Sequence, residues 1–385
     1  LSLTQQSGKK AIFRGTLKLQ VSKVLNKFKQ IAEKKRAGER LSAADALFLY
    51  EEGDFFTLGK LAAEINRKLN GDKVFYNINR HINPTNICVN QCRFCAYSKL
   101  KGEEGAYEQC IDDILSEVKE AETLGIREFH IVGGLHPDWP FAYYLELLQG
   151  LKKEHPDIVI KAFTAVEIDY FVKISGLDIP AVFKSLQAAG LQAMPGGGAE
   201  ILDATIRNQI CPEKISGSRW LEIMEMAHQA AIPTNATMLY GHIESYADRI
   251  DHMEKLRTLQ DKTGGFQVFI PLAFHAVNTD IRKKGETSGI DDLKTLAIAR
   301  LYLDNFRHIK AYWVMLGEKI AQLALLFGVN DLDGTVVKER ITHAAGAKSA
   351  TGLSEDYIRN AIIKAGRKPV ERDTFYNPVE GGLHD

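Results

Sequence analysis

The sequence predicts an α/β protein built as a TIM-type (β/α)8 barrel with an N-terminal helical extension. Three observations carry this expectation. Eight short β-rich runs alternate with amphipathic helical stretches between residue 76 and about residue 350, and eight such units are the number that closes a barrel. Residues suited to chemistry recur at the C-terminal ends of those runs, where barrels keep their sites. The chain before residue 76 shows only helical periodicity. Pattern alone also permits a doubly wound open sheet.

In chain order, Val21 to Glu33 has helical apolar spacing, and Ser42 reads as the N-cap of a second helix. Phe56 to Asn70 makes a third, ended by Asn70-Gly71. The predicted strands are Asn83–Ile87, Glu128–Val132, Ile158–Thr164, Leu191–Met194, Thr234–Leu239, Phe266–Ile270, Ile309–Val314 and Gly328–Leu332. Between the first two, Ile111, Ile114, Leu115, Val118 and Ala121 share one helical face. Tyr144, Leu145, Leu148 and Leu151 do so before the third, and Trp220, Ile223, Met224 and Ala227 before the fifth. A last helix, Tyr357 to Ala365, precedes a polar tail. The expected organisation is a helical extension over 1–75, a barrel over 76–350, and a C-terminal helix and tail over 351–385.

The composition narrows the class. With 49 basic and 49 acidic side chains in 385 residues, the formal charge is zero, which argues against a nucleic-acid binder. The longest apolar run, Leu323 to Val329, is far short of the roughly 18 residues of a membrane span. Leu1 to Lys10 has no apolar core of a secretory signal. Of five cysteines, Cys88, Cys92 and Cys95 fall within eight residues. That is no disulfide framework; it fits a reducing compartment, so the expected location is cytoplasmic.

The triplet Cys88-Val-Asn-Gln-Cys92-Arg-Phe-Cys95 follows the first predicted strand. Thiolates are soft ligands for zinc or iron–sulfur clusters. Three on one loop can hold three corners of a cubane and leave the fourth iron open. Structural zinc usually takes four ligands in paired C-x2-C elements, so zinc is the rival reading. Cys110 and Cys211 read as inert small apolar residues.

These cysteines, with Tyr97 directly after Ala96, resemble the signature of radical S-adenosylmethionine (SAM) enzymes. The resemblance implies the barrel rather than the open sheet, a [4Fe–4S] cluster, SAM, and Tyr97 near the adenine. Gly133-Gly134 match the superfamily's glycine pair, although such a pair also makes an ordinary tight turn. Glu200 stands where related enzymes put an acid on the ribose. Arg219 is similar to the arginine that meets the methionine carboxylate. Gly241 and Glu244 match an adenine-contacting strand, and Glu167 is a further candidate for the same pocket.

Asn77-Ile-Asn-Arg-His-Ile-Asn-Pro-Thr-Asn, Pro195-Gly-Gly-Gly-Ala-Glu-Ile and Phe269-Ile-Pro-Leu-Ala-Phe-His resemble one subgroup, the enzymes of menaquinone and deazaflavin biosynthesis. So does Asp331-Leu-Asp-Gly-Thr. His130-Ile-Val-Gly-Gly-Leu-His-Pro is most similar to the aminofutalosine synthases of the futalosine route, where sister enzymes carry Gln-Gly-Gly. That resemblance implies transfer of the 5′-deoxyadenosyl group to 3-[(1-carboxyvinyl)oxy]benzoate, with SAM consumed and a reducing partner such as flavodoxin or ferredoxin. The alternatives are a futalosine cyclase or deazaflavin synthase component working by hydrogen abstraction, and a non-enzymatic metal or electron-transfer module. Candidate catalytic residues are His136 and His242, then Asp333 and Thr335. Arg80, His81, His275, Arg282 and His343 are candidates for binding the two substrate carboxylates. Any one of these histidines could equally be a satisfied structural partner.

Overall fold

The computed structural model describes residues 22–281, 287–337 and 339–379. Three helices open it: α1 (residues 22–36), α2 (Ala43–Glu51) and α3 (Phe55–Asn70). Ser42 and Asp45 form a reciprocal capping box at the start of α2. Asp45 also accepts from Lys27 at 2.7 Å and Lys34 at 2.9 Å, which ties α2 back to α1. α3 stops at Gly71, whose φ of 61° only glycine adopts freely.

The barrel wall begins with β1 (Lys73–Asn77) and β2 (Asn79–Ile82), one extended stretch broken at Ile78. The expected first strand, Asn83–Ile87, is therefore corrected: it is already loop, held by isolated bridges at Thr85 and Ile87. Pro84 has no N–H to give a ladder, so the strand ends before it. Then follow α4 (Ile111–Val118), β3 (Glu128–Ile131), α5 (Phe141–Glu154), β4 (Val159–Ala162), α6 (Ala165–Ser175) and α7 (Ile179–Ala189). The fourth wall position, residues 191–194, is reduced to two bridges, Lys161 with Ala193 and Met194 with Thr234. After it come α8 (Ala204–Ile210), α9 (Gly217–Gln229), β5 (Thr234–Tyr240), α10 (Tyr246–Thr263), β6 (Phe266–Ala273) and α11 (Gly289–Tyr302). β7 (His308–Ile309) is shorter than the predicted Ile309–Val314, because Trp313–Leu316 turns into α12. α13 (Glu318–Ala324), β8 (Asp331–Gly334), α14 (Ile341–Ala344), α15 (Glu355–Lys364) and β9 (Lys368–Glu371) complete the chain.

Every wall pairing is parallel: β2–β3, β3–β4, β5–β6, β6–β7, Lys310 with Asp331, and β8–β1. The ring closes, which settles the barrel over the open sheet. α2 and α3 pack on the outer helices α10 and α11. Among the described residues no helix is long and apolar enough to cross a membrane.

The ring's alternation decides what faces inward. In register, His81, His130 and Lys161 stand side by side on β2, β3 and β4, and Asn79 and Glu128 form the layer before them. The intervening Phe129, Ile131, Ile160 and Ala162 are fully buried in the apolar core.

The tail is not merely polar. β9 pairs with β1 on the side that β3 takes beside β2, with Lys73 opposite Lys368. It delivers Arg372, 1% exposed, to Asp331 at 2.9 Å. Tyr376 stacks on His308 at 3.9 Å and under the Arg372 guanidinium at 4.1 Å. Removing one partner of a buried pair leaves an uncompensated charge. Arg372→Met should therefore cost about 3 kcal/mol in urea unfolding. The exposed Arg36–Glu64 pair should yield under about 1 kcal/mol when Arg36 is replaced.

Candidate functional site

One cavity of about 350 Å³ opens at the C-terminal ends of the strands and runs into the barrel interior. Cys88, Cys92 and Cys95 line its mouth, on the loop that follows β2. The loop is pressed onto the end of β3. Gly134 N–H donates to Thr85 O at 2.9 Å, and Val89 N–H to Leu135 O at 3.0 Å. A Cβ on Gly134 would lie 2.1 Å from Ile87 O, so only glycine admits this approach.

Burial pushes the Cys88 thiol up and the Cys92 thiol up to about 12. Metal binding requires thiolate, and a bound cation reverses that order. The three thiols share the cavity wall. A multi-iron cluster takes its thiolates on separate irons. No other cysteine lines the wall among the described residues; Cys110 is exposed at the start of α4, and Cys211 is buried outside the wall, close enough to Cys92 to add to the upward push on its thiol. The donor set thus fits a cluster held at three corners.

Around the mouth the structure gathers several of the expected residues. Tyr97 is buried, with its hydroxyl against those of Tyr107 and the Thr85 carbonyl. Gly133 N–H donates to Glu167 at 3.2 Å, and Thr164 donates to the same carboxyl through its N–H and hydroxyl, at 2.7 and 2.8 Å. Burial without a cation in contact pushes Glu167 up to about 7. Glu200 has a left-handed φ of 47° and accepts from Lys214 at 2.7 Å. Asp333, also left-handed at 70°, takes Lys310. His81 stacks on His130 at 4.6 Å, and His275 meets Met315 O at 2.8 Å; both line the wall.

The other expected residues that are described stand outside the wall. His136 and His242, the first catalytic candidates, have their rings engaged by neighbouring groups. His136 holds Glu108 at 2.6 Å and stacks on Trp139, while His242 is bound to Leu239 O and Ile243 N–H. Thr335 serves the ring closure, bonding the backbone of Asn79 in both directions. Arg80 has the outward parity of β2 and turns to Glu117 at 3.7 Å. His343 is taken by Glu339 and Ser349 O. Gly241 and Glu244 form a closed turn in which Glu244 is buried against Arg249 at 2.9 Å. Arg219 stands on the first turn of α9 beside Asp169 and Glu222, outside the wall. Arg282 lies outside the described residues.

Sequence reasoning missed Lys161, Lys214, Lys310, Glu128 and Glu339, all in the wall. Lys161 had a usable signal: Ile160 and Ala162 flank it in a short strand, and a period of two then turns the lysine inward. Lys214 had none, since it stands in a loop.

Two expectations follow. Gly134→Ala should lower iron retained per chain after anaerobic reconstitution, with the circular dichroism of the barrel kept. Glu167 titrates higher folded than unfolded, so the folded state holds the extra proton between the unfolded value and about 7. The wild type should therefore lose stability across that window as pH rises, by about 3 kcal/mol in total. The stability of Glu167→Gln relative to wild type should climb between pH 5 and 8, read from denaturant midpoints.

Known proteins bear on the same site. Residues 82–256 match the family model of the radical SAM superfamily, and residues 263–383 match the model of the CofH/MqnC C-terminal region. The chain is 48% identical over 353 residues to an aminodeoxyfutalosine synthase of Thermus thermophilus, covering 91% of this chain and 95% of that one. It is 41% identical over 332 residues to a 5-amino-6-(D-ribitylamino)uracil–L-tyrosine 4-hydroxyphenyl transferase of Methanopyrus kandleri, covering 85% and 90%. Among solved structures, methylornithine synthase superimposes with a TM-score of 0.68 at 18% identity, over 88% of this chain and 97% of that one. The maturase HydG of Carboxydothermus hydrogenoformans gives 0.71 at 16%, over 98% and 87%. These two speak for the fold. With its cysteine loop at a barrel mouth and relatives matched over most of their length, the chain belongs to the radical SAM superfamily, whose enzymes work with a [4Fe–4S] cluster and SAM.

Proposed function

We propose that this enzyme joins the 5′-deoxyadenosyl group of SAM to 3-[(1-carboxyvinyl)oxy]benzoate, with rearrangement and loss of the pyruvyl carboxylate, giving 6-amino-6-deoxyfutalosine for menaquinone biosynthesis. The observation that carries the reading is the 48% identity, over nearly the full length of both chains, to a relative of that activity.

Cys88, Cys92 and Cys95 would hold the cluster, one thiolate to each of three irons. When bound, the cluster supplies the electron that splits the SAM sulfonium into methionine and an adenosyl radical. Gly133 and Gly134 would offer backbone to the methionyl ammonium, and Tyr97 would lie against the adenine. Glu200 would take the ribose hydroxyls, its carboxylate held in place by Lys214 at 2.7 Å. Arg219 would exchange Asp169 and Glu222 for the methionine carboxylate, a contact suited to its planar fork. On the β5 and β6 side of the cavity, Leu239, Ile270, Leu272 and Phe274 supply an apolar wall. There the chain's task is to orient the alkene and exclude competing hydrogen donors. His81 and His275, which line the cavity, would touch substrate, and Asp333 would act through the Lys310 it holds. The electron would come from a flavodoxin or ferredoxin.

The second reading, radical chemistry by hydrogen abstraction on tyrosine in deazaflavin synthesis, has in its favour the hydroxyphenyl transferases at 41% and 42% identity. Product analysis separates the two. Anaerobic incubation with SAM, reductant and the enolpyruvyl benzoate should give an adenine-containing adduct by mass spectrometry. Free 5′-deoxyadenosine without adduct, or turnover of tyrosine with the ribitylaminouracil, would contradict the first reading.

A further inference from the structure

We propose that Lys161 and Lys310 bind the two carboxylates of the organic substrate, one each, from opposite walls of the barrel. This assignment rests on the functional reading above and names the residues that set its substrate class: an aromatic ether with a carboxylate at either end.

The placement follows from the strand order. Lys161 lies on β4, the third wall position counted from β2, and Lys310 directly follows β7, the seventh. In a ring of eight those positions are diametrically opposed. Strand parity turns both ammonium groups inward, and both residues line the cavity, below the mouth where the cysteines stand. They are 2% and 3% exposed.

Two ammonium groups in a barrel interior are costly to bury before pairing. A purely structural role would need partners that use them up. Lys161 has Glu128 at 2.8 Å, and Lys310 has Asp333 at 2.5 Å. Asp331 stands farther from Lys310, at 3.7 Å, and is matched by Arg372 at 2.9 Å. An ammonium has three N–H donors, so each lysine can hold its acid and still take a second oxygen. The acids then act as orienting groups that fix each ammonium toward the cavity.

Two other groups of the wall are engaged elsewhere. Lys214 sits at the mouth on Glu200, at the SAM end. The His81 imidazole, which burial holds well below its usual range, stacks on His130 at 4.6 Å. Ile270 and Leu272 supply an apolar surface for an aromatic ring in the same wall.

The test compares binding of the diacid and of two monoacids, the phenyl enolpyruvyl ether and 3-vinyloxybenzoate, to cluster-loaded enzyme with SAM. The variants are Lys161→Met with Glu128→Gln, and Lys310→Met with Asp333→Asn, so that no buried acid is left unpaired. Each pair should weaken the diacid by about 10- to 100-fold and leave SAM affinity unchanged. Each should bind one monoacid as the wild type does, and the two pairs should differ in which one. A merely structural lysine would weaken all three ligands alike, and that result overturns the assignment. So does unchanged diacid binding in an enzyme that makes the adduct. A wild type that fails to bind the diacid at all overturns the assignment and the functional reading together.

Discussion

One close approach organises the site. The carbonyl of Ile87 passes over Gly134 where any side chain would collide, a Cβ falling 2.1 Å from that oxygen. This contact lets the loop after β2 fold down onto the end of β3, and the thiols of Cys88, Cys92 and Cys95 then line a shared mouth. Without it the loop would stand off the barrel, and three soft ligands would have no common cavity to face. The hydrogen bonds from Gly134 and Val89 hold the contact, and Tyr97 anchors the far side of the loop through Thr85.

Beneath the mouth the barrel is polar at its centre and apolar in the layer between strands and helices. Period-two alternation produces both from the same short strands. Such an interior carries its charges in matched pairs: Glu128 with Lys161, Asp333 with Lys310, Asp331 with Arg372. The third pair differs from the others because its arginine arrives from the C-terminal tail and does not face the cavity. The tail thereby neutralises Asp331 and leaves Lys310 to the acid beside it.

Much of this was legible in the sequence, and the parts that were not have physical reasons. The alternation of strands and helices, the Ser42 and Gly71 helix ends and the cysteine spacing are local signals, and each appears where the residues placed it. The first strand was misplaced because Asn83-Ile87 has strand-like residues but Pro84 cannot pair. β9 was unreadable because four residues after a helix become a strand only when β1 is beside them. An isolated histidine near a strand end carries no mark of its partners, so the contacts of His136 with Glu108 and of His242 with Leu239 O appear only in three dimensions. Lys161 was passed over for the opposite reason, since a lysine in a strand is ordinarily a surface residue.

The central claim is that three protein thiolates hold a four-iron cluster whose fourth iron is free for SAM. Mössbauer spectroscopy of 57Fe-reconstituted, oxygen-protected protein, recorded with and without SAM, tests it most directly. The account predicts one iron of four whose signal shifts on SAM addition, and loss of the cluster when Cys88, Cys92 and Cys95 are replaced by alanine. Four irons indifferent to SAM, or a colourless protein carrying zinc and no iron, would contradict it.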